Sequence, residues 1–145
     1  MDKETVRAWQ TADPLTITSN TTLHEAHDIM RAADIRHLPV VQGRKLVGLI
    51  TLNELRREEL MIAAVYKGSD LQTLVSQTKT VGEIMNGRPP TVAPDDTMAK
   101  AAQLLLDRKL TATAVVANGH LVGILTESDI FRFVAHLRQT QKEER

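Results

Sequence analysis

The stretch that decides the fold is His120-Leu121-Val122-Gly123-Ile124-Leu125-Thr126-Glu127-Ser128-Asp129-Ile130. It reads as a strand that ends at a threonine and passes at once into a helix. The same pattern stands earlier as Lys45-Leu46-Val47-Gly48-Leu49-Ile50-Thr51-Leu52-Asn53-Glu54-Leu55, at an offset of 75 positions (123 − 48 = 75). Aligned without a gap, residues 4–57 and 79–132 share 13 of 54 positions, Pro14/Pro89, Ala26/Ala101, Val40/Val115 and Arg57/Arg132 among them. Apolar positions match along the same register. The chain is therefore read as two copies of one unit.

Each copy opens with a short segment, Thr5 to Gln10 or Thr80 to Met85. Pro14 and Pro89 precede a short strand, Leu15 to Thr18 or Thr91 to Ala93. A helix follows. Thr22 with Glu25 three residues on has the spacing of a capping box, and Leu23, Ala26, Met30 and Ala33 form an apolar face. In the second copy Asp95, Asp96 and Thr97 start the helix, and Met98, Ala101, Ala102 and Leu105 form the face. A hairpin comes next. Asn118-Gly119 between apolar runs predicts a tight turn, because both turn positions need positive φ. Gly48 and Gly123 stand inside strands, where glycine points to close approach of another backbone or a ligand. The last helix of the second copy is expected from about Ser128 to Arg138, with 139–145 a polar tail that frays.

The expected organisation is repeat one over 1–66, a linker over 67–78 with a short helix at Leu71 to Val75, repeat two over 79–138, and the tail. Each repeat is β-α-β-β-α. A unit of 55–65 residues buries only about 60% of its surface and is marginal alone. The expectation is a mixed α/β (α+β) fold in which two repeats pack through their sheets with pseudo-twofold symmetry.

Composition narrows the function. Hydrophobic residues are 42% and aromatics 3%, so the core must be aliphatic. Lys plus Arg equals Asp plus Glu at 18 each, which lacks the basic excess of a general nucleic-acid binder. No cysteine is present, which excludes disulfides and thiolate metal sites. No run approaches the roughly 20 apolar residues of a membrane span, and the N-terminus lacks a signal-peptide core, so a cytoplasmic place is expected. No nucleophile elbow, Walker loop or Gly-x-Gly-x-x-Gly run is present, and no catalytic residue is assigned. His24, His27, Asp28 and His37 form the best metal candidate, but the second copy carries Ala99, Ala102 and Ala112 at the histidine positions, and no metal site is expected.

Pro90-Thr91-Val92, the Leu38-Pro39-Val40-Val41 strand and the Gly123-x-x-Thr126-x-x-Asp129 corner, duplicated in this order, resemble the cystathionine-β-synthase (CBS) domain. The chain is similar to a stand-alone tandem pair of them, a Bateman module. The resemblance implies two clefts between the repeats that take adenosine compounds: AMP, ADP, ATP or S-adenosylmethionine. It implies a regulatory role without enzymatic activity and with no required cofactor. It also implies a homodimer, through apolar helix faces around Leu60 to Val65 and Phe131 to Val134, and an unidentified effector protein as further partner.

Two readings of the corner stand side by side. Thr-x-x-Asp and Thr-x-x-Glu are capping patterns, which need no ligand. The helix N-terminus also favours an anion, and a carboxylate there can accept from a ribose diol. By the family's crossed arrangement, Thr126 and Asp129, with Ile124 and Ser128, are expected to face Ile35, Arg36 and His37, with Thr5 nearby. Thr51 and Glu54 are expected to face Leu110 and Thr111, with Thr80 and Met85 nearby. Glu54 departs from the family aspartate by one methylene. The competing reading is a structural or interaction module whose clefts are vestigial.

Overall fold

A computed structural model describes residues 3–143. In chain order the elements are α1 (Val6–Trp9), β1 (Thr11–Ala12), α2 (Leu23–Ala33), β2 (His37–Gln42), β3 (Lys45–Thr51), α3 (Leu52–Val65), α4 (Ser69–Thr78), β4 (Thr91–Val92), α5 (Met98–Arg108), β5 (Ala112–Ala117), β6 (His120–Thr126) and α6 (Glu127–Glu143). A 3-10 turn, Val81–Glu83, stands between α4 and β4.

The compact units cut across the repeat boundaries. Leu15–Pro89 forms one, here the middle unit; the described residues of Met1–Pro14 and Pro90–Arg145 form the other, the terminal unit. The opening segment of each repeat is thus folded with the body of the other. In the terminal unit the sheet order is β1-β6-β5-β4. β1 pairs with β6 (Thr11 opposite Ile124), and β4 runs parallel to β5 (Val92 opposite Val115). In the middle unit β2 and β3 make a hairpin, extended by single bridges Leu49–Asn86 and Ile17–Val40. Every bridge has its counterpart at the offset of 75: 124 and 11 against 49 and 86, 115 and 92 against 40 and 17. The bulges at Val40/Val41 and Val115/Val116 correspond as well.

Local chemistry explains the elements. Thr22 Oγ1 accepts from Glu25 N at 3.1 Å and Glu25 Oε2 accepts from Thr22 N at 3.2 Å, closing the expected capping box. Both α2 and α5 end on residues in the left-handed region, Asp34 (φ 53) and Lys109 (φ 55). Asn118 (φ 52) and Gly119 (φ 78) make the β5–β6 turn with positive φ at both positions. Gly123 has no room for a side chain: a Cβ would meet the Gln10 side chain and Thr11 O at 3.0 Å. At Gly48 it would meet Met85 and Asn86 O at 3.2 Å. The close neighbour is thus the opening segment of the other repeat.

The cores are aliphatic, as composition requires. The middle unit buries Ile17, Leu23, Ala26, Met30, Leu38, Val40, Ile50, Leu55, Ile62 and Val81. The terminal unit buries Val6, Val92, Met98, Ala101, Val115 and Leu125. Val6 and Val81, from the exchanged segments, are fully buried, which anchors each segment on its host.

Three expectations change. The linker carries a helix of three turns, Ser69–Thr78, longer than the stretch expected at Leu71 to Val75. The final helix begins at Glu127 and continues to Glu143, because Arg138, Gln139, Gln141 and Lys142 are good helix formers although polar. The last two residues of the expected frayed tail lie outside the described residues. The Leu15 to Thr18 strand is reduced to the Ile17 bridge.

Candidate ligand corners

Two strand-to-helix corners carry the polar side chains singled out by the sequence. In the terminal unit, β6 ends at Thr126 and α6 starts at the next residue. Asp129, in the first turn, folds its carboxylate back onto the corner: Oδ2 accepts from Thr126 N at 2.8 Å and from Thr126 Oγ1 at 3.2 Å. Oδ1 accepts from Arg132 Nη2 across one helical turn. Asp129 is 2% exposed, whereas the Arg132 side chain is 61% exposed. A buried carboxylate is costly unless paired, and these three donors pair it.

The first amide of α6 is also engaged, with Glu127 N donating to Thr111 O at 3.0 Å. The middle unit repeats this: Leu52 N donates to Arg36 O at 2.8 Å. Backbone from the start of β2 or β5 therefore satisfies the first helical donor of its own repeat's corner. This alters the expectation of an anion seat. The first amide is taken, and Glu127 and Asp129 already place negative charge in the first turn of α6. At the terminal corner the group beside Thr126 is a carboxylate, which only accepts hydrogen bonds.

The middle corner is less closed. Glu54 N donates to Thr51 Oγ1 at 3.2 Å, and Thr51 Oγ1 donates to Glu54 Oε1 at 3.0 Å. Among the described residues no ion pair joins Glu54 to Arg57, the counterpart of Arg132.

The other candidates divide between the units. Thr5, Leu110, Thr111, Ile124 and Ser128 lie in the terminal unit with Thr126 and Asp129. Ile35, Arg36, His37, Thr80 and Met85 lie in the middle unit with Thr51 and Glu54. Thr5 bridges to Thr97, and Thr22 to Thr80, at equivalent positions. Thr80 N donates to Glu83 Oε2 at 2.6 Å, which caps the 3-10 turn. Ile124 is 8% exposed, and Ser128 and Arg36 are exposed. His37 sits opposite Thr51 in the hairpin. Burial, reinforced by the Arg36 charge, holds its imidazole below the ordinary 6.5.

The histidines of α2 have protein partners. His27 Nδ1 is 2.7 Å from Glu59 Oε1 on α3, and His24 Nε2 is 3.2 Å from Asp28 Oδ2. Among the described residues no group of three or more His, Cys, Asp or Glu is placed to hold a metal ion. Nor is any helix among them long and apolar enough to cross a membrane. Sequence reading missed Arg132. The available signal was an Asp–Arg pair at i, i+3 in a position where both copies carry arginine.

Comparison with known proteins fits this architecture. The CBS domain family model matches residues 6–60 and 81–136. The chain is 33% identical over 133 residues to an inosine-5'-monophosphate dehydrogenase of Korarchaeum cryptofilum, a match covering 91% of this chain but 25% of that enzyme. The chain thus spans about a quarter of that relative's length. Among solved structures, CBSX2 in complex with AMP superposes with a TM-score of 0.74 at 28% identity, covering 92% of this chain and 98% of the other. The CBS domain pair of MJ0100, in complex with 5'-methylthioadenosine and S-adenosyl-L-methionine, gives 0.74 at 28% identity, covering 91% and 96%. With a duplicated β-strand register, two threonine-ended corners and family matches over both repeats, the chain belongs to the CBS domain family as a tandem pair.

Proposed function

We propose that this pair is a regulatory module that takes up an adenosine-containing ligand and passes its occupancy to a partner protein. The observation that carries the reading is the terminal corner, a buried carboxylate on a strand-to-helix turn with Thr126 beside it. Its acceptor character suits the two hydroxyls of a ribose. The AMP complex of CBSX2 and the S-adenosylmethionine complex of MJ0100 support the same ligand class. A cytoplasmic place, where such nucleotides are abundant, goes with this reading. So does a role without turnover.

The corners are unequal. Arg36, assigned together with His37 to Asp129 by the family's crossed arrangement, adds positive charge for a ligand phosphate, whereas His37, its imidazole held below 6.5, adds none near pH 7. Leu110 and Thr111, assigned with Glu54, add none. A phosphorylated ligand should therefore prefer the Asp129 site. The reading also includes a homodimer: Leu60 (72% exposed), Met61 and Val65 on α3, and Phe131 (67% exposed) and Val134 on α6, are large apolar groups facing solvent.

A thermal-shift screen with AMP, ADP, ATP and S-adenosylmethionine tests the module. At 100 times the dissociation constant a bound ligand stabilises by about 2.7 kcal/mol. For a chain of this size that is a rise of roughly 5–10 °C. No shift with any of the four favours the alternative of an interaction module with vestigial sites. Light scattering that gives a monomer mass at tens of micromolar would remove the dimer.

A further inference from the structure

We infer that Arg132 is an internal competitor for the ribose, occupying an acceptor position of Asp129 that the ligand must take over. The inference rests on the ribose reading of the terminal corner and adds how that site is controlled. A carboxylate offers about four lone-pair positions. Oδ2 accepts from both Thr126 N and Thr126 Oγ1, and Oδ1 accepts from Arg132. Three positions are filled and one is left. A ribose diol brings two donors, so both cannot be received until the guanidinium moves. The burial of Asp129 at 2% exposed agrees, because its carboxylate is covered rather than offered to solvent.

Arg132 is well suited to leave. Its side chain is 61% exposed, so a displaced guanidinium is rehydrated at once. Thr126 has a different role: its amide and hydroxyl hold Oδ2 fixed, so the acceptor is positioned before the ligand arrives. The middle corner lacks the device, since no ion pair joins Glu54 and Arg57 among the described residues. Displacement would also leave an unpaired positive charge between Phe131 and Val134, both exposed on α6. Ligand occupancy would thereby leave a cation without its carboxylate partner on an apolar helix face.

The test is calorimetry on the full chain with adenosine, which carries no phosphate, and with AMP. Removing the competitor in Arg132→Met should tighten adenosine binding by about two- to fivefold, the range for a solvent-screened ion pair. Parent affinity for adenosine should rise as sodium chloride screens the pair, and that of Arg132→Met should not. Arg57→Met is the control and should change neither. If the parent binds adenosine and Arg132→Met binds it equally or more weakly, the competitor role is wrong while the ribose site stands. A loss confined to AMP, with adenosine unchanged, would instead make Arg132 a phosphate contact and overturn the inference. If neither protein binds adenosine or AMP, the ribose reading falls and takes this inference with it.

Discussion

Replacing Gly123 with alanine should loosen the exchanged opening segment from its host strand. An alanine Cβ there would stand 3.0 Å from Thr11 O, closer than ordinary van der Waals contact, and would collide with the end of the Gln10 side chain. The glutamine is flexible and can be pushed aside. The Thr11 carbonyl is part of β1, so relief there requires β1 to move away from β6. Overpacking of this kind costs about 1–3 kcal/mol. Alanine returns roughly 0.5–1 kcal/mol by stiffening the strand backbone. The net loss is up to about 2.5 kcal/mol, or a fall in Tm of up to roughly 10 °C. Hydrogen exchange should locate it, with faster exchange at Thr11 to Asp13, where Asp13 N donates to Val122 O. Gly87→Ala is the control, because nothing lies within 4 Å of a Cβ there and its φ is not in the left-handed range. If Gly123→Ala melts with Gly87→Ala and leaves exchange at Thr11 to Asp13 unchanged, the packing of the opening segment on β6 is wrong.

Other expectations follow from backbone strain and titration. Asp34→Gly and Lys109→Gly should each stabilise by about 0.5–1 kcal/mol, since both residues hold left-handed φ at helix ends; urea midpoints that fall would refute this. His37 has a lowered pKa in the folded chain, so the unfolded chain binds its proton more readily. The His37 contribution to stability is therefore flat above about 6.5 and is lost as pH falls from there through the folded value. His37→Gln should flatten the melting curve series between pH 7.5 and 5, and an unchanged slope would exclude His37 as its source.

Much of this fold is legible because the repeat prints its register in the sequence. An offset of 75 places Val40 on Val115 and Gly48 on Gly123, and the bridges keep that offset. Asn118-Gly119 and the Thr22–Glu25 box are local chemistry, and local chemistry fixes them. The exchange of opening segments is not legible in this way. Thr5 to Gln10 and Thr80 to Met85 suit either unit, and tertiary packing of Val6 and Val81 decides between them. Gly48 and Gly123 signalled a close backbone without saying which one. At the site, Thr126 and Asp129 were found by spacing. That α6's first amide is already bonded was hidden, because the acceptor, Thr111 O, is backbone and carries no sequence signature. The i, i+3 ion pair of Arg132 was visible as a spacing, but such pairs on helices are usually solvated and weak.

The most direct test of the central claim is isothermal titration of AMP into the parent and into Asp129→Asn. Asparagine can still accept from Thr126 N at the corner, so capping, worth about 1 kcal/mol, is largely kept. It loses the charge that strengthens a hydrogen bond from ribose, each such bond being worth on the order of 1.5–3 kcal/mol. The account predicts AMP binding to the parent and a roughly tenfold to few-hundredfold weaker constant in Asp129→Asn, with both proteins folded. Equal constants would make Asp129 a helix cap alone, and no binding to the parent would contradict the ligand-sensing reading itself.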